Sequence, residues 1–440
     1  MKKVLFVCLL LIVGSLSANA QSYIGHSIDN YSGVHGIILN PSSVVDSRMR
    51  TDININSISV FGGSDYFAID FSSISDFDDG FNFDEYLQKY PEQDNNFFLN
   101  VDILGPSFMF NLSPKHSLGI TTRVRTFLNL NSINGTLYES LSDDFDDSED
   151  FDFEMRDFTG TVHAWGEFGL TYGRILLDKE THFLKGGITL KYLLGAGTVF
   201  ADTPQLSGNY DAANHLLSTT GTLNYGMSTG FDTNEIDFEN TTSGFGGDIG
   251  FTYEYRNDSG LDSLSKKDNK YKFKLGLSIT DLGKISYDET TLTTYDMNNS
   301  VDTDNFNNNS IENDLEENYE GTEQVITSKI NLPTAIHFVA DYNFTRRVYL
   351  SLNGSFSMIA SDKEASNRLI NTITLTPRFE TRIFSFYLPV GIRQHNGLSA
   401  GAGFRIGPLT VGSASLITNL LSDSSKTTDL YFGLKVPIYQ

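Results

Sequence analysis

The sequence predicts an all-β fold: an antiparallel transmembrane barrel of about 14 strands, with a periplasmic N-terminal segment and long extracellular loops. Three observations predict it. A short apolar leader marks the chain for export, no later run is apolar and long enough for a helical span, and apolar residues recur at alternate positions in segment after segment.

The leader comes first. Lys2 and Lys3 make a basic start, Val4 to Val13 is apolar, and Ala18-Asn19-Ala20 is a small-x-small cleavage site. That run is shorter than the roughly 20 residues a spanning helix needs. Residues 1–20 are therefore read as a cleaved signal peptide, 21–50 as an N-terminal segment and 51–440 as the barrel. Cys8, the one cysteine, leaves with the leader, which excludes disulfides and cysteine metal sites from the exported chain. The 38 Gly, 33 Phe and 21 Tyr suit many strands. Two of the 31 basic residues lie in the leader, so 29 face 55 acids and the exported chain carries −26. That acidity excludes nucleic acid as a partner.

The last strand shows the pattern. Leu430, Phe432, Leu434, Val436 and Ile438 alternate with Tyr431, Gly433, Lys435 and Pro437, giving one apolar and one mixed face. A wall between lipid and a polar lumen requires this, and it assigns Leu434 to lipid and Lys435 to the lumen. Earlier strands are placed near 410–418, 398–406, 383–393, 369–379, 347–359, 334–343, 271–287, 246–256, 184–200, 160–176, 117–130, 97–112 and 51–61. With the C-terminus in the periplasm, the turns at Ser113 to His116, Asn343 to Arg346, Thr381 and Gly407-Pro408 share the periplasmic side. The segments 62–96, 131–159, 201–245 and 288–333 then share the outer side. Tyr66 to Phe71 reads as an extension above the membrane.

The acids concentrate in two outer loops, Asp143 to Asp157 and Asp288 to Glu323, and such runs are ordinarily solvated. Asp302-Thr303-Asp304 starts like a calcium loop, but Phe306 stands at a ligand position and the spaced glycine is absent. No metal site or cofactor is assigned. Gly226-Met-Ser228-Thr-Gly230 and Gly397-Leu-Ser399-Ala-Gly401 match the hydrolase elbow in letters. They lack its strand–turn–helix context, so no catalytic residue is assigned and the chain is read as a non-enzyme.

Strand phase yields a set of inward polar residues: Arg123, Arg125, Glu167, Lys191, Asp248, Glu254, His337, Asp341, Arg378, Arg393, Arg405 and Lys435. Arg256 shares the phase of Asp248 and Glu254, and Lys272 that of Lys274. A lumen carrying both signs holds a structural ion-pair network or lines a substrate path. The need of buried charges for partners favours the network.

Leu39-Asn40-Pro41-Ser42 is similar to the Asn-Pro-Ala segment opening the outer-membrane fatty-acid channel superfamily, which includes the shuttle barrel of type IX secretion. Gly187 to Gly195, Gly246 to Tyr253, Leu275 to Gly283, Pro389 to Arg393, Phe404 to Gly412 and Asp429 to Pro437 follow in order. Together they resemble a Bacteroidota barrel family, domain of unknown function 5723, across nearly all of residues 31–440. The resemblance implies a 14-stranded barrel and an N-terminal segment, centred on Asn40 and Pro41, that enters or plugs the lumen. It carries over no ligand residues, and Ser42 departs from the usual Ala. Two functions are open for an outer-membrane, Gram-negative protein surrounded by lipid. One is passage or capture of a small hydrophobic compound. The other is a non-transporting surface or assembly component that binds a secreted or surface protein through its acidic loops. A continuous apolar cavity under the loops favours the first, and a packed charged lumen the second.

Overall fold

The computed structural model describes residues 23–71, 86–145, 149–229, 231–232, 235–236, 242–256, 269–306, 311–395 and 397–439. Fourteen antiparallel strands close into one barrel. They are β1 (Met49–Ser64), β2 (Asn95–Leu104 and Ser107–Ser113), β3 (His116–Ile133), β4 (Phe151–Asp178), β5 (His182–Asp211), β6 (Thr242–Arg256) and β7 (Tyr271–Asp296). Then follow β8 (Ala335–Thr345), β9 (Val348–Ser357), β10 (Thr372–Glu380), β11 (Phe384–Tyr387 and Val390–Arg393), β12 (Gly397–Ala400 and Ala402–Ile406), β13 (Leu409–Ser413) and β14 (Thr427–Tyr439). Closure is between β14 and β1, where Ile53 faces Val436 and Met49 faces Tyr439. Both belong to the end of the barrel with the short turns, such as Gly407-Pro408 between β12 and β13.

Period-two patterning makes the wall. On β14, Tyr431, Gly433 and Lys435 are buried while Leu430, Phe432, Leu434 and Val436 are exposed. The exposed face is apolar around the barrel, with Leu190, Phe251, Leu277, Leu352, Leu375, Ile392 and Leu398 on it. A water-soluble barrel would present polar groups there; this belt suits hydrocarbon. Where the wall bends, the sequence supplies the means. Pro106 cannot donate to the ladder, and the Asn54 side chain instead bonds the Leu104 and Gly105 carbonyls at 2.9 and 3.0 Å.

Three parts differ from the strand-by-strand expectation. The segment placed at 410–418 leaves the wall at Ser413, because the Ser413 hydroxyl accepts from the Ser415 and Leu416 amides and starts a short helix, Leu416–Leu421. The segment placed at 369–379 begins at Thr372, since the chain before it folds into the bore. The outer segments are also not simple loops. β4, β5 and β7 run on beyond the wall, where Leu216–Ser228 pairs with β5 and β7, and Glu320–Asn331 pairs with β7. The layer encloses its own core, including Leu137, Phe153, Met155, Phe158, Leu206, Tyr210, Tyr295 and Leu315. Part of the acidic run is thus the solvent face of a folded sheet. Phe67–Ile69 pairs with Leu87–Lys89 as a separate ribbon at this end.

Candidate functional site

The barrel interior holds the chemistry, and it changes character along its length. At the short-turn end it is filled by the N-terminal segment. Helix α1 (Val34–Leu39) leads through Asn40 into a single helical turn, Pro41–Val44. Proline suits the first position of such a turn, and Asn40 caps it by accepting from the Ser42 amide at 3.0 Å. The Asn40 side chain then donates to the Phe251 carbonyl at 3.1 Å, and Ser42 Oγ lies 2.7 Å from Thr252 Oγ1. Ser42, the departure from Ala, thus ties the turn to β6. Two glycines make room: a Cβ on Gly187 would sit 2.4 Å from the Pro41 carbonyl oxygen, and one on Gly250 2.2 Å from Asn40 Oδ1.

Apolar packing and charge fix the rest of this segment. Val34, Ile37, Val44 and Val45 pack on Leu104, Met109, Ile175 and Phe183, and ion pairs hold the remainder. Asp29 pairs with Arg405 at 3.2 Å and accepts from the Tyr387 hydroxyl. Lys435 reaches the Tyr31 and Ser32 carbonyls at 2.7 and 2.8 Å and Asp52 at 3.5 Å, while Asp52 accepts from the Val34 amide at 2.9 Å. Asn30 donates to Glu380 at 2.8 Å, and Glu380 pairs with Arg378 at 2.6 Å. Arg378 also meets Asp341 at 2.9 Å, which Lys274 approaches at 3.2 Å. Arg256 joins Glu254 at 2.6 Å and Asp46 at 2.8 Å.

At mid-depth a second cluster spans the bore. Arg123 holds Asp102 at 2.6 Å and Glu167 at 2.7 Å. Arg125 holds Asp281 at 2.8 Å, and Lys191 bridges Asp281 at 2.6 Å and Asp248 at 2.9 Å. Three cations and four carboxylates from β2 to β7 are thereby buried together. Each such ion costs several kcal/mol to dehydrate, so the cluster persists only because every member has partners.

Alternation marks a face without naming partners. Arg123, Arg125, Glu167, Lys191 and Asp248 come together here, whereas Glu254, Asp341, Arg378, Arg405 and Lys435 lie around the N-terminal segment. Arg393 stands apart with Asp429 at 2.5 Å. His337 bonds two hydroxyls, Thr280 at 2.9 Å and Ser355 at 2.7 Å. Lys272 is a correction. A bulge in the β6–β7 register after Tyr255 turns Tyr271 inward, leaving Lys272 on the outer face, 4.5 Å from the ring of exposed Tyr342. The partner acids Asp29, Asp46, Asp102, Asp281 and Asp429 were not foreseen. Asp102 shares strand phase with Asn100 and was legible; Asp281 sits at positive φ, 58°, where alternation breaks.

Nearer the long-loop end the interior turns apolar, with Phe127, Trp165, Leu193, Ile285, Ile330 and Leu369 packed together. The chain between β9 and β10 dips in here. Asn129 bonds the Arg368 amide and carbonyl at 3.0 and 3.3 Å, and Asn367 bonds His163 at 2.7 Å. A cavity of about 80 Å³ lies between the N-terminal segment and β5–β8, lined by polar groups such as Asn30, Asp46, Lys185 and Glu254. One of about 10 Å³ lies under the outer layer among Phe61, Phe98, Phe127, Arg368 and Ile370.

The motif serines have structural contacts. Ser228 Oγ accepts from the Thr198 amide at 2.9 Å, and Ser399 is buried in β12. Asp302 accepts from the Asp304 amide at 3.1 Å, capping its own turn. Among the described residues no three His, Cys, Asp or Glu side chains gather in a metal-binding arrangement.

Residues 41–414 match the profile of DUF5723, a family of unknown function. No curated protein sequence matches the chain. Among solved structures, a FadL homologue of Pseudomonas aeruginosa is 11% identical over 96% of this chain and 98% of its own, with a TM-score of 0.45. The toluene transporter TodX of P. putida is 8% identical over 93% of this chain and 95% of its own, with a TM-score of 0.43.

Proposed function

Since the chain belongs to DUF5723, whose function is unknown, we propose from its geometry that it is an outer-membrane barrel, shut at rest, that captures a small, largely apolar compound beneath its outer layer. The observation that carries this reading is the division of the bore. From the short turns to mid-depth it is filled, by ion pairs and by the packing of Val34, Ile37, Val44 and Val45 on the wall. Under the long-loop end an apolar cluster lines it, beyond the reach of the N-terminal segment. Passage would require both the N-terminal segment and the β9–β10 chain to move. The apolar outer belt supports the membrane setting, and short turns on the periplasmic side support outward-facing loops. The packed, charged lumen itself favours a second reading: a non-transporting component whose acidic outer layer binds a secreted or surface protein.

Reconstitution tests capture. Wild-type protein in planar bilayers should give no steady conductance, yet bind a small apolar probe saturably. Steady ohmic current would mean an open pore; neither current nor binding would leave the partner-binding reading. Orientation has its own test. A tag inserted at Asn214, in the outer layer, should be labelled on intact cells, whereas one at Arg347, in the β8–β9 turn, should need permeabilisation. The reverse pattern would invert the topology.

A further inference from the structure

We propose that Arg368 is the head-group anchor of a ligand site under the outer layer, and that the captured compound is a monocarboxylate with a compact, ring-sized apolar body. This rests on the capture reading above and adds the charge and size of what is captured.

The argument starts from an unmatched charge. Eight arginines are buried in the described structure: Arg48, Arg123, Arg125, Arg256, Arg368, Arg378, Arg393 and Arg405. Seven have a carboxylate within 4.0 Å; Arg368 has none among the described residues. It is 8% exposed, and among the described residues its Nε has no hydrogen-bond partner and its one side-chain bond is a long 3.5 Å contact to Asn131 Oδ1. Burial depresses its pKa with no opposing carboxylate. A dehydrated guanidinium is costly, and arginine is the side chain best shaped to take a carboxylate through two parallel bonds. Nothing in the wall's architecture needs it here, because the backbone of Arg368 already satisfies Asn129.

The surroundings define the other half of the ligand. Arg368 lines the same small cavity as Phe61, Phe98, Phe127, Leu369 and Ile370. That cavity, about 10 Å³, has room for about one water. The body of the ligand therefore takes the space now occupied by Leu369 or Ile370. Those side chains belong to a non-strand segment, 358–371, whose displacement leaves the barrel ladder intact. Three phenylalanines present ring faces and edges, which suits an aromatic body.

Trp165, the one tryptophan, stacks on Phe127 at 5.5 Å and reports locally. The test is equilibrium dialysis of phenylacetate and of its neutral isostere phenylacetamide against detergent-folded full-length protein at pH 7, with Trp165 fluorescence followed in parallel. Wild type should bind phenylacetate at least tenfold more tightly than the amide. Arg368→Gln should erase that preference while keeping amide binding. Asn131→Asp, which places a carboxylate within reach of Arg368, should weaken phenylacetate at least tenfold by supplying an internal partner. It stands as an independent check should Arg368→Gln fold poorly. Amide binding as tight as phenylacetate in wild type, or phenylacetate binding unchanged in either variant, overturns the anion site while leaving capture standing. Absence of saturable binding by both probes overturns capture and the anion site together.

Discussion

Asp281→Asn is expected to cost about 3–5 kcal/mol of stability, the scale for removing one member of a buried ion pair. Asp281 is the carboxylate shared by Arg125 and Lys191, at 2.8 and 2.6 Å. Without it, among the described residues, Arg125 keeps only Glu167 as a carboxylate partner, at 3.6 Å, and Lys191 keeps Asp248 at 2.9 Å. Asparagine isolates the charge, because it tolerates the positive φ of this position. The backbone bonds also survive: the Asp281 amide still donates to Asp248, and its carbonyl still accepts from Thr334. Urea midpoints of the folded, heat-modifiable form would measure the loss. Adding Arg125→Met should recover part of it, since the cation left without a close carboxylate is then removed as well, while Glu167 keeps Arg123 at 2.7 Å. A neutral Asp281→Asn would mean that water reaches the cluster and shares its charge, and the bore would then have to be treated as a wet path.

The wall was readable because a membrane strand has only two faces and the apolar one repeats at period two. Leu430 to Ile438 carries that signal without interruption, and all 14 strands observed correspond to segments placed from it. Reading failed where the period breaks or the chain has none. The bulge after Tyr255 exchanges the roles of Tyr271 and Lys272, and a single-residue shift of that kind leaves no mark on composition. Asp150 to Met155 did carry a signal that charge concealed. Phe151, Phe153 and Met155 alternate with Asp152 and Glu154, and Phe153 and Met155 are buried in the outer layer's core. Contacts of the N-terminal segment depend on side chains meeting across the bore, such as Asp29 with Arg405, which no local pattern encodes. Arg368 lies in a stretch without periodicity, and its isolation is visible only once the other buried arginines have found partners.

Leu434→Lys and Lys435→Leu should both be severe, and for opposite reasons. Leu434 is 37% exposed on the apolar face, near the middle of β14, where a lysine toward hydrocarbon costs about 2–4 kcal/mol. Alternation alone would make the inward Lys435 the more tolerant position. Its contacts say otherwise, because Lys435→Leu leaves Asp52 buried without its cation and strips the Tyr31 and Ser32 carbonyls of their donor. That loss is on the order of 3–5 kcal/mol. The two variants should fail at different steps. Leu434→Lys should reduce the amount of heat-modifiable barrel in outer membranes, with nothing on the inner face able to restore it. Lys435→Leu should still insert, but with residues before Met49 open to protease, and Asp52→Asn in the same chain should restore part of their protection. Normal assembly of Leu434→Lys would mean that the exposed face does not meet lipid. An inserted Lys435→Leu barrel whose N-terminal segment stays protected would mean that Asp29 and Asn40 hold the segment without help from β14.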